Sequence, residues 1–250
     1  MPNLRFAAPK ERRVAVITGG ANGIGRASAL RIAEEGRDIV IADLSDKGDA
    51  VAAEIIALGQ RARFIPTDVT DESAVHTLMQ ATVDEFGRLD ILVCCAGILG
   101  REAPFLEQSA AQFDKVLRIN LYGVYYAHQA AIPHMLRQGW GRCVTITSGA
   151  RHAATNQVPY GVSKGAVYSL IGALGNAYPK QNVFVNGVEP GRALTDMVVP
   201  RFTPEFLANP GNPIGRYSDP EEVAEVVEFL TSERNTYTTG SVWSVKGASG

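Results

Sequence analysis

Val14-Ala15-Val16-Ile17-Thr18 is a short, almost wholly apolar run, and Gly19-Gly20-Ala21-Asn22-Gly23-Ile24-Gly25 follows it directly. The run reads as a buried strand. Beyond the glycines a helical period begins, with Ala27, Leu30 and Ala33 on one face and Gly36 placed to end the helix, so the segment is a strand, a turn and a helix over 24–35. Glycines let a backbone turn sharply and approach a pyrophosphate closely; its charge then meets N–H groups at the positive end of a helix. The spacing is G-x-x-x-G-x-G rather than G-x-G-x-x-G, and taken alone it fits a plain turn equally well.

The same rhythm continues outward. Strands are expected at 38–42, 63–66, 90–94, 142–147 and 183–188, and helices at 47–58, 72–86, 112–137 and 159–177. The strands are nearly continuous in apolar character, as in a parallel sheet covered on both sides. The expected fold is α/β, a Rossmann-type doubly wound parallel β-sheet flanked by helices on both faces. It forms a single domain over 1–250, with 1–11 as a flexible N-terminal segment. Residues 200–220, rich in Pro and Gly, read as a long irregular stretch, either a mobile lid over a substrate or a passive surface loop with a short helix.

Composition narrows the function. The 24 Lys and Arg nearly cancel the 26 Asp and Glu, for a net charge of −2, so no global basic field draws nucleic acid or an anionic membrane. No run of about 18 apolar residues occurs, and the N-terminal stretch lacks the apolar core of a signal peptide. A soluble, cytoplasmic protein is expected, with neither nucleic acid nor membrane as partner. Cys94, Cys95 and Cys143 form neither a disulfide framework nor a zinc pattern, so no metal is expected, and all three read as small core residues.

Asp43 ends the second strand, about 20 residues past the glycines, and Leu44 follows it. A carboxylate there accepts both hydrogen bonds of an adenosine ribose and repels a 2′-phosphate, which favours NAD over NADP. Arg26, just inside the first helix, argues the other way. Tyr160-Gly161-Val162-Ser163-Lys164 places a phenol and an ammonium one helical turn apart on one face. A free phenol has a pKa near 10, so reaching about 7 takes roughly 4 kcal/mol of differential stabilisation of the phenolate. The Lys164 cation is expected to supply much of that. Pro159 suits a first helical position, which adds the positive helix end.

Taken together, residues 12–247 resemble the short-chain dehydrogenase/reductase family, with motifs in family order. Gly19, Asn22, Gly23, Ile24 and Gly25 resemble its cofactor turn, and Asp68-Val69 the pair that meets adenine. Cys95-Ala96-Gly97 stands where the family has Asn-Ala-Gly. Asn120 resembles its active-site asparagine, Ser148 its serine, and Tyr160 with Lys164 its catalytic pair. Asn186-Gly187-Val188-Glu189-Pro190-Gly191, with Ala193 and Thr195, resembles the segment around the nicotinamide.

The resemblance implies an NAD-dependent oxidoreductase acting on a small alcohol or ketone. Ser148 would hold the substrate oxygen, Tyr160 would exchange its proton, and Lys164 would bind the nicotinamide ribose. Asn120 would help hold a water that links Lys164 to solvent. It also implies a homo-oligomer, dimer or tetramer, paired through the helices at 112–137 and 159–177. Ser148 lies twelve positions before Tyr160, one fewer than is common, which leaves Thr147 as a second candidate hydroxyl. Arg192, Ala193 and Lys246 are departures outside the catalytic positions; loss of the usual amide at Cys95 is expected to cost local stability. Arg151, His152 and Arg192 follow substrate-side motifs and favour an anionic substrate in one reading, with solvated loop charge the weightier alternative. Two other functions stay open: a nucleotide-sensing or scaffold protein on the same fold, and a reductase of imines or conjugated alkenes.

Overall fold

The structure is a computed structural model describing residues 12–152, 155–197, 203–208 and 210–248. The N-terminal segment 1–11 and part of the 200–220 stretch lie outside the described residues. Seven parallel strands run in the order β3-β2-β1-β4-β5-β6-β7: β1 (Val14–Thr18), β2 (Asp38–Asp43), β3 (Ala62–Pro66), β4 (Ile91–Cys94), β5 (Gly141–Ile146), β6 (Val183–Pro190) and β7 (Val242–Val245). Between them lie α1 (Gly23–Glu34), α2 (Lys47–Ala57), α3 (Glu72–Phe86), α4 (Ala110–Leu117), α5 (Gly123–Gln138), α6 (Val158–Ala177), α7 (Pro204–Ala208) and α8 (Pro220–Thr231).

Side chains alternate across a strand, so β1 feeds two cores at once. Val14 and Val16 join Val75, Met79, Met135 and Ile171 under α3, α5 and α6. Ala15 and Ile17 join Ile32, Ile55, Val223 and Val227 under α1, α2 and α8. A strand buried on both faces needs apolar residues at every position, and each such side chain contributes about 1.5–3 kcal/mol.

Two differences from the expected elements matter. The long helix expected at 112–137 is broken: α4 passes into a π-helical turn, Arg118–Tyr122, and only then into α5. Such turns widen a helix by one residue and cluster at functional sites. The chain beyond β6 also holds α8 and β7, for which no element was expected. Asp219 and Glu222 form a capping box at the start of α8, with Pro220 in its first turn. β7 is a four-residue edge strand paired with β6, with Trp243 and Ser244 exposed, and Ser244 leaves its apolar run too short to read as a strand.

Candidate active site

The strand order reverses between β1 and β4, and a sheet of this kind opens a crevice where the two neighbouring connections leave in opposite directions. A cavity of about 1390 Å³ lies there, at the carboxyl ends of the strands. Its floor is the glycine turn. Gly19 has φ +67° and Gly23 φ +52°, in the left-handed region that disfavours other residues. A Cβ on Gly19 would stand 2.5 Å from the Ala96 nitrogen, and one on Gly25 2.0 Å from the Gly19 carbonyl oxygen. Only bare backbone fits this close a turn. Asn22 gives α1 no side-chain cap, so the first N–H groups of the helix face the cavity beside Gly23, Ile24 and Gly25.

At one end of the cavity Asp43 caps two backbone groups. Its Oδ2 accepts from Ala21 N at 3.1 Å and its Oδ1 from Ser45 N at 3.0 Å. Leu44, Asp68 and Val69 line the same end. Arg26 does not line the cavity; its guanidinium reaches the Glu54 carboxylate of α2 at 2.5 Å. Cys95, Ala96 and Gly97 form the wall beyond β4, and Pro190, Gly191, Ala193 and Thr195 the wall beyond β6. Of the three cysteines, Cys94 and Cys143 are buried as expected, but Cys95 is half-buried because it stands one residue past the strand, on the cavity wall.

At the other end Ser148, Tyr160 and Lys164 line the cavity together. Thr147 is a neighbour, but its hydroxyl is buried and turns away to the Lys164 carbonyl at 3.4 Å. Ser148 is half-buried, its Oγ accepts from Ala150 N at 3.2 Å, and its hydroxyl stands near enough to the Tyr160 phenol to favour the phenolate. Asn120 sits in the π turn and does not line the cavity. Its Oδ1 accepts from Ile98 N at 2.8 Å, and its Nδ2 donates to Ile98 O at 2.9 Å and to the Ser163 hydroxyl at 3.1 Å. A buried amide thus clamps the loop after β4 to the helix carrying Tyr160.

The electrostatics differ from the expectation that Lys164 acidifies the phenol. Burial pushes the Tyr160 pKa up, and the nearby Ser148 hydroxyl offsets only part of that. Lys164 is only 5% exposed and burial lowers its own pKa to about 8. Its ammonium donates to the Ile146 carbonyl at 2.7 Å and lies 5.7 Å from the centre of the Tyr160 ring. An ammonium committed to a carbonyl and set 5.7 Å from the ring centre is a weak acidifier of its neighbour.

Of the three cations weighed for an anionic substrate, Arg192 lines the cavity, stacked 4.5 Å from the Phe206 ring. Arg151 and His152 do not; Arg151 is ion-paired with Glu189 at 2.6 Å. Ile98, Leu99, Gln157, Met197 and Phe206, which no sequence motif marks, also line the cavity. Phe206 rides on α7, inside the irregular stretch, and the Tyr217 hydroxyl holds it by donating to its carbonyl. No group of three or more metal-ligating side chains occurs among the described residues, and no helix among them is long and apolar enough to cross a membrane.

Comparison with known proteins agrees with this architecture. The family model described as Enoyl-(Acyl carrier protein) reductase matches residues 19–248. A cis-4-hydroxycyclohexanecarboxylate dehydrogenase of Sinomonas cyclohexanicum is 39% identical over 239 residues, covering 94% of this chain and 95% of its own. A cyclohexanol dehydrogenase of Rhodococcus sp. (strain TK6) is 35% identical, covering 96% of each chain. The crystal structure of levodione reductase superposes with a TM-score of 0.88 at 33% identity, over 94% of this chain and 96% of that one. The chain therefore belongs to the short-chain dehydrogenase/reductase family of oxidoreductases.

Proposed function

We propose that the protein moves a hydride between NAD(H) and the carbinol or carbonyl carbon of a small secondary alcohol or ketone. The observation that carries this is one continuous cavity with a glycine turn and a strand-end carboxylate at one end and Ser148, Tyr160 and Lys164 at the other. The residues fit a dinucleotide: a Cβ-free turn and uncapped helix N–H groups suit a pyrophosphate, and Asp43 suits ribose hydroxyls. When bound, the dinucleotide accepts the hydride in oxidation and supplies it in reduction. Ser148 holds the substrate oxygen. Tyr160 takes the hydroxyl proton in oxidation and returns it to the carbonyl oxygen in reduction. Lys164 binds the ribose next to the reacting ring, and Asn120 keeps the Ile98 loop and α6 in register.

NAD is favoured over NADP because Asp43 opposes a 2′-phosphate, while Glu54 engages Arg26. Two relatives are named for cyclohexane-ring alcohols, and the apolar Ile98, Leu99, Ala150, Met197 and Phe206 line the cavity here. We therefore assign an alicyclic secondary alcohol or its ketone as the substrate class. Exposed Tyr122, Tyr125, Val162 and Tyr168 on α6 and around the start of α5 support self-association as a dimer or tetramer. The free thiols support a reducing, cytoplasmic setting.

The test is a panel of cyclic and open-chain alcohols with NAD, and of ketones and conjugated enones with NADH, followed at the absorbance of the reduced nicotinamide. Turnover of alcohols and ketones supports the reading. Turnover of enones alone, or dinucleotide binding without any turnover, overturns it.

A further inference from the structure

Glu189 lies at the end of β6, fully buried, with a cation on each carboxylate oxygen. Arg151 Nε meets Oε2 at 2.6 Å, and Lys246 Nζ, just past β7, meets Oε1 at 2.8 Å. Burial alone would raise the Glu189 pKa, but the two cations outweigh it and hold the group ionised. A buried carboxylate is tolerated only when paired in this way, so Glu189 fixes the position of whatever holds it.

Arg151 ends the 3-10 turn Gly149–Arg151, whose first flanking residue is Ser148. The turn is closed by its own hydrogen bonds. Ser148 Oγ accepts from Ala150 N at 3.2 Å, and the Ser148 carbonyl accepts from Arg151 N at 3.3 Å. The Arg151 guanidinium also stacks 4.0 Å from the ring of Tyr168, two helical turns along α6 from Tyr160. One side chain thus touches the strand-end carboxylate and the tyrosine helix, while its backbone closes the serine turn.

We propose that Arg151, anchored on buried Glu189 and stacked on Tyr168, is a positioning residue that sets where the Ser148 hydroxyl stands relative to the Tyr160 phenol. It acts through Ser148 and does not touch substrate. Lys246 shares the carboxylate from beyond β7 and belongs to neither the serine turn nor α6, which separates a positioning role from a stabilising one. The inference rests on the proposed proton chemistry of Ser148 and Tyr160.

The experiment compares Arg151→Met, Arg151→Lys, Glu189→Gln and Lys246→Met in full-length protein. It measures kcat and KM on an alcohol of the panel, NADH affinity by fluorescence, melting temperature, and hydrogen exchange over residues 147–152. Arg151→Met and Glu189→Gln are expected to lower kcat about tenfold to a hundredfold, the range that a misplacement of about 1 Å produces. NADH affinity stays within about twofold, exchange over 147–152 speeds up, and Arg151→Lys recovers most of the rate. Lys246→Met lowers the melting temperature while leaving kcat near wild type. A kcat near wild type in Arg151→Met, or a kcat loss that follows melting temperature equally across all variants including Lys246→Met, overturns the proposal. Tyr160→Phe run alongside separates the two claims. If it stays active, the proton chemistry is wrong, and unchanged exchange in Arg151→Met then overturns the positioning role by itself.

Discussion

The Lys164 ammonium stands 5.7 Å from the centre of the Tyr160 ring and gives its hydrogen bond to the Ile146 carbonyl at 2.7 Å. The chain by itself therefore keeps the phenol protonated, since burial acts on Tyr160 more strongly than Ser148 does. A protonated phenol is the acid that carbonyl reduction needs; oxidation needs it deprotonated, so oxidation gains with rising pH.

Tyr160→Phe is expected to lower kcat by about 10²- to 10⁴-fold, the usual contribution of a positioned acid or base. Dinucleotide affinity should stay within about twofold. Steady-state kinetics with a binding titration check both numbers.

Ser148 is the group that pulls the Tyr160 pKa down against burial. In Ser148→Ala that pull is lost, the phenol's pKa rises further, and the pH at which oxidation reaches half its maximum moves upward. A pH profile of kcat/KM that fails to shift, or shifts down, contradicts the arrangement.

Lys164→Met trades activity for stability. Folding lowers the Lys164 pKa from its ordinary value near 10.5 to about 8, so the folded state pays to hold the ammonium. The penalty is full below about pH 8 and fades between 8 and 10.5, where the unfolded chain alone holds the proton. The lost bond to Ile146 offsets part of the gain, leaving on the order of 1 kcal/mol in favour of the variant at pH 7. Urea unfolding at pH 7 and pH 10 should show this advantage shrinking as pH rises.

Asp43→Asn removes the charge that opposes a 2′-phosphate. The ratio of kcat/KM for NADP over NAD should rise about 10- to 100-fold, as expected for one charged hydrogen-bonding partner worth about 1.5–3 kcal/mol. Initial rates with each dinucleotide give the ratio.

Gly25→Ala would set a methyl 2.0 Å from the Gly19 carbonyl oxygen, a backbone atom with no room to move aside. We expect a loss of about 1–3 kcal/mol in stability together with a weakening of dinucleotide binding, read by thermal unfolding and titration.

Much of this was legible without coordinates. The β1, α1 and β2 segments, Asp43 and the Tyr160–Lys164 pair each depend on residues close in sequence, so periodicity, turn glycines and helical spacing reveal them. The capping box at Asp219 was legible too, though no helix was expected there. β7 was harder, since a half-exposed edge strand carries no alternation strong enough to stand out. The π turn at Arg118–Tyr122 was not legible, because a shift of the apolar phase by a single residue is too small to stand out within one long helical stretch.

Local order of apolar, glycine and polar residues thus determined a parallel sheet wrapped by helices, the glycine turn at its mouth and the spacing of phenol to ammonium. Tertiary structure alone decided which groups face each other across the crevice. Lys164 meets Ile146 rather than the phenol, and Arg151 meets Glu189, 38 positions away, rather than the cavity. Charge pairing and desolvation depend on distance in space and on the exclusion of water, and both are set only when separate strands are brought side by side.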